Sequence, residues 1–273
     1  MRTSQKVGLT IGVVFGLGLQ LLPVPDGLSP DGWIVVSMAI LMVSWWVTEA
    51  IPIPVTSLLP LVVLPTTGVA PIADAAGPYA SPIVLLLMGG FIIAKSVERW
   101  NLHARIALNI VVRAGNHPAA LIGGFMLASA VLSMWISNTA TVIMLIPIAI
   151  SVSYAVLGDK AARAPFTIAL LLGVAYGASI GGLGTPVGTP TNLIVIGYLE
   201  REASQSISFA QWMMIGIPTV VVMLPAAWLV LTRWGLRIET PENDTGSDVV
   251  KDALAALGRI TRPESRVLLV FAI

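Results

Sequence analysis

Two polar islands interrupt apolar stretches of membrane length: Ser137-Asn138-Thr139-Ala140-Thr141, and Gly184-Thr185-Pro186-Val187-Gly188-Thr189-Pro190-Thr191-Asn192. A bilayer core offers no water to hydrogen-bond a broken backbone. Non-helical backbone at that depth persists only when buried in protein or lining a cavity. Both interruptions are rich in hydroxyls, amides and small residues, and neither carries a charge. Such a pair implies a site for a solute and an ion, the pattern of a transporter or of a large piece of one.

Of the 273 residues 56% are hydrophobic and only 11% charged, against about 25% charged in a soluble domain. The composition predicts an all-α polytopic membrane protein. Net charge is +1, which gives nucleic acid no electrostatic hold, and the absence of cysteine excludes thiolate chemistry and disulfides. Met1 to Leu22 resembles a signal peptide but lacks a small-x-small cleavage site, so an uncleaved first span is expected.

Windows able to cross a core of about 30 Å fall at 7–23, 32–48, 53–70 and 81–97. Residues 1–80 are read as scaffold helices, and 81–117 as a span followed by an interfacial helix, with Leu102, Ile106 and Ile110 on its apolar face. The transport region is 118–210, a further span covers 211–236, a polar cytoplasmic linker covers 237–264, and 265–273 begins a span that is cut off. Block 118–157 is too long for one span and has no exposed-loop signal. It is expected to be a re-entrant hairpin, with one half-helix to about Ile136 and another from about Ala140; two complete spans are the alternative. In block 165–199, Pro186 and Pro190 each remove a backbone donor, predicting helices that stop near Gly182 and restart near Asn192.

Placing the N-terminus in the cytoplasm puts every Lys and Arg except Arg201 on the cytoplasmic side, as the positive-inside rule demands. No Lys, Arg, Asp, Glu or His lies between His117 and Asp159, or between Arg163 and Glu200. Proton relays in membranes use such groups, so a proton/sodium exchanger fits less well. An anion can instead be held by half-helix N-termini, and sodium by unwound carbonyls. Simple helix glue is the plainer reading of Ser133, Ser137 and Asn138, and close packing that of Gly173, Gly177 and Gly181. Gly177-Ala178-Ser179-Ile180-Gly181 also matches the hydrolase elbow G-x-S-x-G. An intramembrane serine hydrolase at Ser179 is a third reading, although the two histidines, His103 and His117, lie in the interfacial segment. Glu49, before Pro52 and Pro54, is read as a structural anchor.

Four stretches resemble the divalent anion/sodium symporter family: Trp45 to Pro52, Met88-Gly89-Gly90-Phe91-Ile92-Ile93-Ala94 running on to Leu102–Leu108, Ser133 to Thr141, and Ser179 to Asn192. The resemblance implies an inverted-repeat, elevator-type transporter, usually a homodimer, that carries dicarboxylate, citrate or sulfate across the cytoplasmic membrane with sodium and is not an enzyme. It assigns Ser133, Ser137, Asn138 and Gly188 to a sodium site, and Asn138, Thr139, Thr189 and Pro190 to the anion. An arsenite or sodium/proton carrier is the neighbouring alternative. The family commonly has a second proline where this chain has Thr191. It also has a C-terminal repeat with a second Ser-Asn-Thr hairpin, so this chain is expected to be the N-terminal half or a truncated chain.

Overall fold

The computed structural model describes residues 3–235 and 246–272, and divides into two compact units, 1–84 and 85–273. Among the described residues every regular element is helical.

In the first unit α1 (Thr3–Gly18) packs along α2 (Pro30–Thr48). Ser29 caps α2 by accepting from Gly32 N–H, and Pro30, whose missing N–H costs nothing at a first turn, opens it. Gly12 lets the indole of Trp45 lie on α1, since a Cβ there would stand 2.6 Å from Trp45 Nε1. Two hydrogen bonds tie the start of the unit together: Gln20 Nε2 donates to Ser37 Oγ at 2.6 Å and Trp33 Nε1 to Leu19 O at 2.9 Å. Glu49 ends α2 in the left-handed region (φ 47°, ψ 40°), and its carbonyl accepts from Gln5. The window expected at 53–70 is not one continuous helix. Pro52, Pro54, Pro60 and Pro65 leave it as α3 (Ile53–Thr56) and α4 (Leu59–Thr66), followed by α5 (Ile72–Ala76).

The second unit is built around α8. Its elements are α6 (Pro82–Arg99), α7 (Leu102–Ala114), α8 (Pro118–Ser133), α9 (Asn138–Leu157), α10 (Pro165–Gly181), α11 (Pro190–Glu202), α12 (Phe209–Leu229), α13 (Gly246–Ala256) and α14 (Arg262–Ala272). Helix α8 is apolar on all sides, as an enclosed helix must be; Leu121, Ile122, Phe125 and Met126 are fully buried between α7 and α10. Leu145 and Val152 of α9, Leu170 and Val174 of α10, Val111 of α7 and Val250 of α13 complete the core. Gly173, Gly177 and Gly181 lie along the α8 contact, as expected: a Cβ on Gly177 would be 2.5 Å from Met126 O.

Three sequence expectations change here. The buried face of α7 is Leu102, His103, Ala107, Leu108 and Val111, so it is rotated from the face defined by Ile106 and Ile110. Part of the polar linker is helix: α13 turns Val249, Val250, Ala253 and Leu254 into the core. The polar run 237–245 and the Arg2 and Ile273 positions lie outside the described residues. The third change concerns α14, which begins at Arg262, within the expected linker. It is fixed by Glu264, whose carboxylate meets Arg105 Nε at 3.2 Å and Thr261 N–H at 2.6 Å; Arg105 also donates to Gly258 O and Leu257 O.

Among the described residues, five helical segments are long and apolar enough to cross a membrane, including those that contain α2, α9, α10 and α12. Large apolar side chains on α12 point outward, with Ile215 73% and Val222 70% exposed, as suits a surface facing lipid chains. The chain is a polytopic membrane protein.

Candidate functional site

Both polar islands are breaks between helices, and both adjoin the C-terminal end of α10. The first break is residues 134–137. Met134 and Ile136 N–H groups still bond back to α8, to Ala130 O and Leu132 O, and Ser137 then takes an extended conformation as N-cap of α9, accepting from Ala140 N–H at 3.3 Å. A Ser at this position satisfies one of the orphan donors of the first turn. Trp135 anchors the tip by stacking on Phe209 of α12, centroids 6.1 Å apart. The second break begins with a tight turn at Gly182–Gly184, runs extended at Thr185 and Thr189, and ends where Pro190 opens α11. The restart falls two residues before the expected Asn192 because proline's fixed φ is preorganised for a first helical position.

Contacts across the two breaks bring the expected cation residues together. Ser133 Oγ donates to Asn138 Oδ1 at 2.5 Å. The Asn138 amide in turn faces Gly182, where a Cβ would stand 2.8 Å from its Oδ1. Gly188 faces two main-chain oxygens: a Cβ there would stand 2.5 Å from Gly182 O and 2.9 Å from Ser133 O. Only a residue without a Cβ allows that approach. Ser133 and Gly188 are buried and Asn138 is half-buried. The fourth expected ligand, Ser137, differs. Its carbonyl accepts Thr141 N–H at 3.0 Å and its hydroxyl caps α9, so the free carbonyl expected there is already engaged.

The expected anion residues sit at two helix N-termini. Asn138 and Thr139 form the first turn of α9, and Thr189 is the N-cap of α11 with Pro190 after it. Neither turn contains an acidic or basic residue. Thr139 and Pro190 are exposed and Thr189 is half-buried. With Ser137 and Thr141, Thr139 lines a cavity of about 370 Å³ that also takes in Glu98 and His103. His103 is 8% exposed, with Nδ1 3.1 Å from Val97 O. The sequence reading set this histidine aside as interfacial, because the turn that carries it inward appears only once α7 is docked on α8.

Three further side chains hold the breaks in place; Thr185 and Asn192 belong to the second island, but their partners are not apparent from the sequence, and Trp212 lies outside both islands. Thr185 Oγ1 donates to Met134 O at 2.5 Å and accepts Gly188 N–H at 3.1 Å. Asn192 Nδ2 donates to Gly182 O and Thr185 O, each at 2.8 Å. Trp212 Nε1 donates to Leu183 O at 3.0 Å, so a helix outside both islands satisfies a carbonyl of the break. By contrast, Ser179 lies within α10 and is exposed. The hydrolase elbow requires a strand-to-helix turn; Ser179 lies inside a helix, and that reading is set aside.

The two breaks carry no charge of their own and converge through main-chain oxygens and the carboxamides of Asn138 and Asn192. The citrate transporter family model matches residues 43–273. The sodium-dependent dicarboxylate transporter SdcS of Staphylococcus saprophyticus is 39% identical over 98% of this chain, and that of Staphylococcus aureus strain MRSA252 is 37% identical over 99%. The chain belongs to the divalent anion/sodium symporter family. It covers 53% of each relative's length, about half.

Proposed function

We propose that this chain supplies one half of a sodium-coupled carrier for dicarboxylates or citrate in the cytoplasmic membrane. The observation that carries the proposal is the approach of Gly188 to Ser133 O and Gly182 O beside the Asn138 carboxamide. A hard cation takes oxygen ligands, and these are oxygens held by backbone rather than by charge. Sodium binding at Ser133, Asn138 and Gly188 orders the tip and the second break together, with Ser137 contributing at the cavity edge. The ordered breaks then present the N-termini of α9 and α11, through Asn138, Thr139, Thr189 and Pro190, to the anion's carboxylates. The names of the relatives favour a dicarboxylate, and the family description citrate; sulfate is the third divalent anion of the class.

In this reading 118–157 is a re-entrant hairpin entering from the cytoplasm, although α9 has the length of a full span. The N-terminus is cytoplasmic, the assembly is an elevator-type homodimer, and a second, inverted half completes the anion site. The test is uptake of radiolabelled succinate and citrate into proteoliposomes containing the full-length gene product. Accumulation under an inward sodium gradient, absent with choline, is expected. Equal uptake in both salts would overturn the coupling, and a dependence on a proton gradient alone would favour the sodium/proton alternative.

A further inference from the structure

Thr185 lies in the second break and is fully buried. One hydroxyl offers one donor and two acceptor lone pairs, and Thr185 uses both kinds across two breaks. It donates to Met134 O in the tip, 51 residues earlier, and accepts from Gly188 N–H in its own break. Met134 is the residue after Ser133, and Gly188 is the residue before Thr189. The hydroxyl therefore sits between the residues read as cation ligands and those read as facing the anion, without belonging to either set. Asn192 holds the other side of the same turn through Gly182 O and Thr185 O, which leaves Thr185 little freedom to move independently.

We propose that Thr185 is the positioning residue that couples the two ligands. Ordering of the tip by the cation is transmitted through the Thr185 hydroxyl to Gly188, and so to the loop that meets the anion. The inference rests on the sodium-coupled reading given above. Replacing Thr185 by Val keeps the shape but leaves Met134 O without its partner, whereas Gly188 N–H retains a 3.3 Å bond to Thr185 O. The loss therefore falls on the link between the breaks more than on the turn itself.

The experiment compares Thr185→Val, Thr185→Ser and Thr185→Cys in the full-length gene product. For Thr185→Val, losing a buried hydrogen bond should raise the half-saturating sodium concentration about tenfold. The fall in succinate KM with rising sodium should flatten, with maximal uptake at saturating sodium kept within about twofold. Thr185→Ser should restore both, and Thr185→Cys, a weaker donor, should shift them part of the way and serve if the valine variant does not fold. Amide exchange at 134–140 in detergent should quicken in Thr185→Val and recover in Thr185→Ser, a readout independent of transport. A wild type that takes up neither succinate nor citrate with sodium would sink the transport reading alone. Unchanged exchange at 134–140 would overturn the link, and so would sodium dependence and KM coupling that survive in Thr185→Val.

Discussion

At the scale of single residues the site depends on oxygens brought close by missing side chains. Gly188 is the sharpest case. Even Gly188→Ala places a carbon 2.5 Å from Gly182 O and 2.9 Å from Ser133 O, and neither oxygen can yield without moving its helix end. Uptake by Gly188→Ala should fall at least about tenfold, with a raised sodium requirement, whereas Gly89→Ala, where a Cβ meets nothing within 4 Å, should stay near wild type. Normal uptake by Gly188→Ala would show that the second break is looser than described. That Ser133, Asn138 and Gly188 lie together was legible only through the family resemblance, since residue type alone also allows helix packing. The engaged Ser137 carbonyl was not, since an N-cap spends its carbonyl on the first helical bond only once the helix start is known. Thr185 and Asn192 escaped for a similar reason. Their roles lie in which main-chain oxygens they reach, and that follows from the path of the break.

Between elements, the packing of α10 on α8 is decided by the α10 glycines. Alanine is intrinsically better than glycine in a helix by about 1 kcal/mol. At Gly177, however, the added carbon meets Met126 main chain, and overpacking of that kind costs about 1–3 kcal/mol. The clash wins, so Gly177→Ala should lower the melting temperature in detergent; an unchanged or higher value would mean that the helices part freely. The clamp on α14 predicts a pH response. Thr261 N–H, and then Arg105, hold the Glu264 carboxyl below its ordinary value against the opposing effect of burial. A depressed folded value gives stability that is fully present above the ordinary carboxylate range and lost as pH falls through the lowered value. Amide exchange at 257–266 should therefore be slow at neutral pH, quicken in strong acid, and be quick already at neutral pH in Glu264→Ala; no difference between the variant and wild type would remove the clamp. The apolar blocks that hold α8 to α10 were readable from length and composition, and Pro186 and Pro190 marked the second break. Helix α13 was missed because its few apolar residues sit among charges, and only docking on α7 and α9 gives them a partner.

At the scale of the whole molecule, the proposed membrane orientation can be tested directly. Single cysteines are clean reporters because the chain has none of its own. Cysteine at Ser204 should be labelled by impermeant reagent from outside intact cells, and cysteine at Asn116 only after permeabilisation; the reverse pattern would invert the proposed orientation. The all-α polytopic membrane class could be read from composition, and the family from four motifs. The central claim is that one cage formed by both breaks binds sodium and readies the anion site. Asn138→Ala removes the carboxamide that bonds Ser133 and faces Gly182, while Ile143→Val trims a side chain that is 66% exposed. The deciding measurement is sodium activation of succinate uptake by these two variants of the full-length protein in reconstituted vesicles. The account predicts that Asn138→Ala loses sodium activation and anion affinity together while Ile143→Val keeps both; sodium activation unchanged in Asn138→Ala would contradict it and return the cluster to helix packing.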